Sequence, residues 1–141
     1  MNIKVYIMHS EKGDYKNNIY KPLLEIGLMK DYFLILPLSE RFKATYIKDL
    51  MLDSDLIICD LSNYNIFLKY EIKMAKKLNK NIYYFINDKD KKINKFKDIQ
   101  LNIYNDSKDF SNKVKLFLDG LDRKSILLKR ENIYCLGNIT K

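Results

Sequence analysis

The chain is poor in the residues that metal and redox sites need. Its 141 residues include one histidine, His9, and two cysteines, Cys59 and Cys135. They do not fall at the short Cys/His spacings of a zinc site, so no metal is expected. Cys59 sits inside an apolar run and reads as a small buried side chain. Two cysteines also give no disulfide framework. No apolar run approaches the roughly 20 residues that a membrane span needs. The opening Met-Asn-Ile-Lys-Val-Tyr goes straight into a strand pattern, which argues against a signal peptide. Together these absences predict a cytoplasmic, disulfide-free protein with no cofactor and no membrane partner.

What is present is a globular composition. Hydrophobic residues make up 47 % of the chain, enough for one domain with a real core. The net charge of +8 raises the question of nucleic acid. The lysines, however, are scattered among Asn, Ile and Tyr along the whole length. The densest group, Lys89, Lys91, Lys92, Lys95 and Lys97, follows a strand pattern and reads as a solvated loop or short helix. Nucleic acid is therefore not the expected partner.

Five short apolar runs stand out: Ile3–Met8, Phe33–Leu38, Leu56–Cys59, Ile82–Ile86 and Ile99–Tyr104. The third and fourth are nearly continuous and rich in Ile, which suits strands covered on both faces. Helical patterns alternate with them. Tyr15–Leu28 carries Ile19, Leu23, Leu24 and Ile26, with Pro22 bending or delaying the helix. Tyr46–Leu52 places Ile47, Leu50 and Met51 on one side. Ile66–Leu78 and Phe110–Leu121 show helical spacing, the second with Gly120 as a cap near its end.

This alternation predicts an α/β fold, a flavodoxin-like doubly wound sheet of about five parallel strands in the order 2-1-3-4-5. Its crevice should open between strands 1 and 3, at their carboxyl ends. The loop after strand 1 (His9 to Gly13) and the loop after strand 3 (Asp60 to Asn65) should line it. The domain is expected to span residues 1–125. Residues 126–141 read as a tail whose Ile133–Leu136 run could add a strand or an oligomer contact.

Ser62, Asn63 and Asn65 are N-cap types, and Glu71 lies early in the helix that follows. The macrodipole there favours an ionised carboxylate, which could act as a nucleophile towards an electrophilic sugar carbon. The alternative is a surface glutamate paired with Lys73 or another nearby lysine. His9 is a proton shuttle in the crevice or a simple loop residue. Tyr83 and Tyr84 read as packing residues.

The stretch Asp60-Leu61-Ser62-Asn63-Tyr64-Asn65-Ile66-Phe67-Leu68-Lys69-Tyr70-Glu71-Ile72 resembles a motif of the nucleoside 2-deoxyribosyltransferase family. That motif is an acid, an apolar residue and Ser or Thr, then x-P-S-x-G-x-G-x-E-L. The spacing to the glutamate matches without a gap. "KVYIMHS", "DSDLII" and "AKKLNKNIYYFI" extend the likeness over roughly residues 3 to 87. The resemblance implies cleavage or 2-deoxyribosyl transfer at an N-glycosidic bond of a nucleoside or nucleotide. It makes Glu71 the nucleophile and has Tyr6 hold its carboxylate. His9, Ser10, Gly13, Asp60, Ser62 and Asn65 become the residues around the substrate. It also implies a homodimer or larger assembly, because a neighbouring subunit usually completes the family's site. Tyr64, Phe67 and Lys69 stand where the motif has proline and two glycines. Ile47 stands where the family has an aspartate, with Asp49 the nearest acid.

"VYIMHSEKGDY" and "LSNYNIFLKYEI" also resemble TIR domains, whose NAD-cleaving members carry a glutamate after the third strand. That likeness implies an NAD-cleaving or signalling domain. A further alternative is an inactive nucleotide-binding or assembly module of the same fold.

Overall fold

A computed structural model of the protein describes residues 2–37 and 44–130. Five parallel strands form one sheet: β1 (Ile3–His9), β2 (Tyr32–Ile35), β3 (Leu56–Asp60), β4 (Ile82–Asn87) and β5 (Leu101–Tyr104). Their order is β2-β1-β3-β4-β5, with every pairing parallel, as the alternating pattern predicts. Every residue of β3 is buried, which explains its unbroken apolar run. The predicted second strand ends early, at Ile35, and Leu38 lies outside the described residues.

Helices α1 (Lys21–Glu25) and α4 (Ser107–Asp119) cover one face, and α2 (Ala44–Asp53) and α3 (Ile66–Lys77) the other. Strand alternation splits the core accordingly. Ile3, Val5 and Ile7 pack with Leu23, Phe110 and Val114, whereas Tyr6 and Met8 pack with Ile47, Met51, Leu68 and Ile72.

The Tyr15–Leu28 pattern is not one regular helix. A π-turn over Lys16–Tyr20 leads into α1, where Pro22 lies in the first turn. Proline has no N–H to return to the carbonyl four residues earlier, so the wider turn absorbs the lost bond. Gly27 then takes a left-handed φ of 76° and ends the segment. Gly120 does cap α4, but with φ −84°, so its left-handed freedom is not used there.

Residues 123–130 form a further helix, α5, which crosses the boundary expected at residue 125. Ile126 and Leu127 pack on the α1/α4 face. Arg130 ties α5 to the amino end of the sheet through two bonds to Asp55, whose side chain is 5 % exposed. The Ile133–Leu136 run lies outside the described residues. Lys89, Lys91, Lys92, Lys95 and Lys97 are all exposed, as a solvated segment requires. No helix among the described residues is long and apolar enough to cross a membrane.

Candidate functional site

The sheet order reverses between β1 and β3, so the loops leaving their carboxyl ends diverge and open a crevice. A cavity of about 270 Å³ lies there. His9 and Ser10 reach it from β1, Asp60 and Ser62 from β3, Asn87 from β4 and Tyr104 from β5. Gly13 and Asn63 approach each other from the two loops. A Cβ on Gly13 would stand 3.1 Å from the Asn63 amide nitrogen. Both residues have positive φ, 81° and 58°, a conformation that glycine and asparagine adopt more readily than other types.

Asp60 is the chemical centre of the cavity. It is 3 % exposed, and each of its oxygens accepts a bond. The Ser62 N–H donates to Oδ1 at 3.0 Å, and the Tyr104 hydroxyl donates to Oδ2 at 2.8 Å. With the Tyr104 proton so used, the Ser62 hydroxyl donates across its 3.0 Å contact with Tyr104. Ser62 Oγ in turn accepts the Asn87 N–H at 2.9 Å. Burial pushes the Asp60 carboxyl above the usual range, and the bonds from Ser62 and Tyr104 oppose that push. Burial, followed by the charge of Asp60, drives the Tyr104 hydroxyl well up.

His9 pairs with Asp60 in register, on the α1/α4 side of the sheet. Its ring stacks on Tyr15 with centroids 4.5 Å apart. Nδ1 lies 2.7 Å from the Ser10 carbonyl oxygen, an acceptor only, so Nδ1 carries a proton. Nε2 lies 2.5 Å from the Tyr20 hydroxyl, which donates to the Pro37 carbonyl. Both nitrogens are thus engaged by protein oxygens.

The expected site residues therefore fall into two groups. His9, Ser10, Gly13, Asp60 and Ser62 line the cavity; Tyr6, Glu71 and Asn65 are not among its lining residues. Asn65 is the N-cap of α3, its side chain accepting the Leu68 N–H at 3.0 Å. Glu71 follows in the second turn and is 9 % exposed, so it is not the surface partner of exposed Lys73. Its charge, after burial and Asp60, helps to raise the Cys59 thiol. Cys59 and Tyr6 share the apolar cluster on which α3 packs, so Glu71 belongs to the α2/α3 face.

The departures from the motif are also located. Phe67, 68 % exposed, and Lys69 point to solvent and fill nothing among the described residues. Ile47 is buried in the Tyr6 cluster, and Asp49 is exposed. Tyr83 packs on Phe117 with centroids 4.6 Å apart, and Tyr84 is part-buried beside the other cluster. Tyr104 and Asn87 were not anticipated. Applying the carboxyl-end rule to all the strands, rather than to β1 and β3 alone, would have found them.

No family model matches the chain, and no curated protein matches it. Solved structures do share its fold. A CMP N-glycosidase of Clostridium botulinum, BcmB, superposes with a TM-score of 0.55 at 18 % identity, over 79 % of this chain and 98 % of that one. The TIR domains of the activated Roq1 resistosome give 0.51 at 17 % identity, over 98 % and 85 %. At such identities the likeness shows the fold alone.

Proposed function

We propose that the protein cleaves, or transfers a sugar at, the N-glycosidic bond of a nucleoside or nucleotide, with Glu71 as nucleophile. The observation that carries this reading is the buried Glu71 carboxylate early in α3, after the carboxyl end of the central strand. Its spacing from Asp60 and Asn65 is that of the deoxyribosyltransferase motif. In the reaction, a Glu71 oxygen bonds to the anomeric carbon as the C–N bond breaks. The base leaves with the bonding electron pair and takes up a proton. Water, or an acceptor base in transfer, then displaces the carboxylate and closes the cycle. Tyr6, on the same face, holds the carboxylate in this reading. A partner subunit completes the site.

The test is release of free base from nucleosides, nucleoside monophosphates and NAD, followed by chromatography. Wild type should release base, and intact-mass spectrometry should find a sugar adduct on Glu71. Glu71→Ala should fold normally and lose both. Base release retained in Glu71→Ala would remove the nucleophile assignment.

A second reading is a non-catalytic assembly module. It is favoured by Ile66, Phe67 and Tyr70, which are 56 %, 68 % and 57 % exposed on α3. No base release across the panel, together with an oligomer in light scattering that Phe67→Ser dissolves, would favour it.

A further inference from the structure

At the end of the sheet opposite the crevice, α5 and the loops that enter β3 and β4 enclose a second cavity, of about 470 Å³. That volume lies within the range of about 300–1,000 Å³ typical of small-molecule sites. The Glu71 reading leaves it unused. We propose that it binds an organic phosphate monoester, a dianion carried on a small apolar body.

The lining charges set the sign of the ligand. Asp53 and Asp55 are the acids of this cavity, and both are already paired. Lys4 meets Asp53 at 3.0 Å, and Arg130 makes two bonds to Asp55. Lys80 and Lys129 also line the space, and neither has a carboxylate partner among the described residues. Two positive charges are thus left over. A phosphate monoester carries about two negative charges at neutral pH, whereas a carboxylate would answer only one of the ammoniums. The crevice has the reverse balance, with Asp14, Asp60 and Asp106 against the ammonium of Lys12.

Lys80 is built into the wall. It is part-buried, and its Nζ donates to the Ser54 carbonyl at 2.7 Å and the Leu52 carbonyl at 3.2 Å, at the carboxyl end of α2. The helix dipole favours a cation there. An ammonium has three donors, so one is left for a ligand. Burial pulls the Lys80 ammonium below its ordinary value; Asp55 opposes that pull, and the charge of Lys129 adds to it. The two ammoniums therefore repel each other across the cavity, and an anion between them would relieve both. Leu52, Leu78, Tyr83 and Ile126 supply the apolar wall. Leu52 is 50 % exposed, so contact with an apolar body would take its side chain out of water. The Arg130–Asp55 pair fixes α5 before any ligand arrives, which lowers the ordering cost of binding.

Calorimetry with phenyl phosphate, inorganic phosphate, benzoate and phenol tests the proposal. Wild type should bind phenyl phosphate saturably in the submillimolar range. Inorganic phosphate, which lacks the apolar body, and benzoate, which carries a single charge, should each bind at least about tenfold more weakly. Phenol should not bind. Lys129→Gln and Leu52→Ser, both at exposed positions, should each weaken phenyl phosphate binding about fivefold while the far-ultraviolet circular dichroism stays native. Asp60→Asn, in the crevice at the other end of the sheet, should leave it unchanged. Absence of saturable phenyl phosphate binding would overturn the proposal. So would inorganic phosphate, benzoate or phenol binding as tightly, phenyl phosphate binding unchanged in either Lys129→Gln or Leu52→Ser, or binding altered by Asp60→Asn, which would move the ligand to the crevice.

Discussion

On the α1/α4 face, the carboxyl ends of the strands finish in polar side chains that bond to one another around a cavity. On the α2/α3 face, the described residues form an apolar cluster that ends beside one buried carboxylate, Glu71. The two faces share the same strands, so the difference comes from alternation alone. His9 and Asp60 point one way, while Tyr6, Met8 and Cys59 point the other. Two buried acids close together in the chain thus have different surroundings, Asp60 at 3 % exposure among polar side chains and Glu71 at 9 % beside an apolar cluster. Asp60 is held by the Ser62 N–H and the Tyr104 hydroxyl.

The contrast can be broken most forcefully on its apolar side of each face. Phe110, which meets Phe85 and Tyr104 edge-on or tilted, is fully buried beneath the polar cavity. Phe110→Ala should lower the unfolding free energy by about 3–5 kcal/mol, read from urea midpoints. Ile47→Asp comes next. It puts an acid where the deoxyribosyltransferase resemblance expects one, but in the Tyr6 cluster. It should cost about 2–4 kcal/mol in the same assay. A variant as stable as wild type would mean that this face is wetter than its packing implies.

Removing the Tyr104 hydroxyl sharpens the comparison at smaller cost. Tyr104→Phe keeps the ring against Phe110 and deprives Asp60 of one donor, so a loss of about 1–2 kcal/mol is expected. The smallest effect is in pH dependence. The folded-state value of Asp60 is raised above the ordinary 3.8, so the native protein binds its proton more tightly than the unfolded chain. Stability should therefore fall as pH rises from 3.8 through that raised value, and Asp60→Asn should flatten this part of the curve. Urea midpoints across the acidic range, compared between the two proteins, measure the difference.

Much of this was legible in the residues. Apolar runs of strand length, alternating with helical spacings, prescribe a parallel sheet, and the 2-1-3-4-5 order places the crevice at β1 and β3. His9, Ser10, Gly13, Asp60 and Ser62 were found that way. The face on which each residue would point was harder to read. A run such as Leu56–Asp60 is apolar on both sides, so its pattern carries no phase to tell which neighbour Asp60 meets. Tyr104 was hidden for a related reason. In the sequence it ends an ordinary apolar run, and only the pairing of β4 with β5 brings it across to Asp60. Glu71 is a third case. A glutamate with Lys73, Lys76 and Lys77 in the following turns can equally read as a surface group, and its burial depends on how α3 is rolled against β3.

Cys59 offers a clock for the opening of the central strand. Its side chain is fully enclosed, and burial, reinforced by the charges of Asp60 and Glu71, pushes the thiol well above its ordinary value. Thiolate is the form that reacts, so the native state is doubly closed to alkylating reagents, by access and by protonation. In a Cys135→Ser background Cys59 is the sole thiol. Its labelling rate then counts excursions in which β3 comes apart from β1 and β4. That rate should track global unfolding rather than local fraying, falling to the value set by the unfolding free energy when reclosing is fast. Labelling much faster than that would reveal a route by which the two acids on either side of the strand are exposed without unfolding the rest.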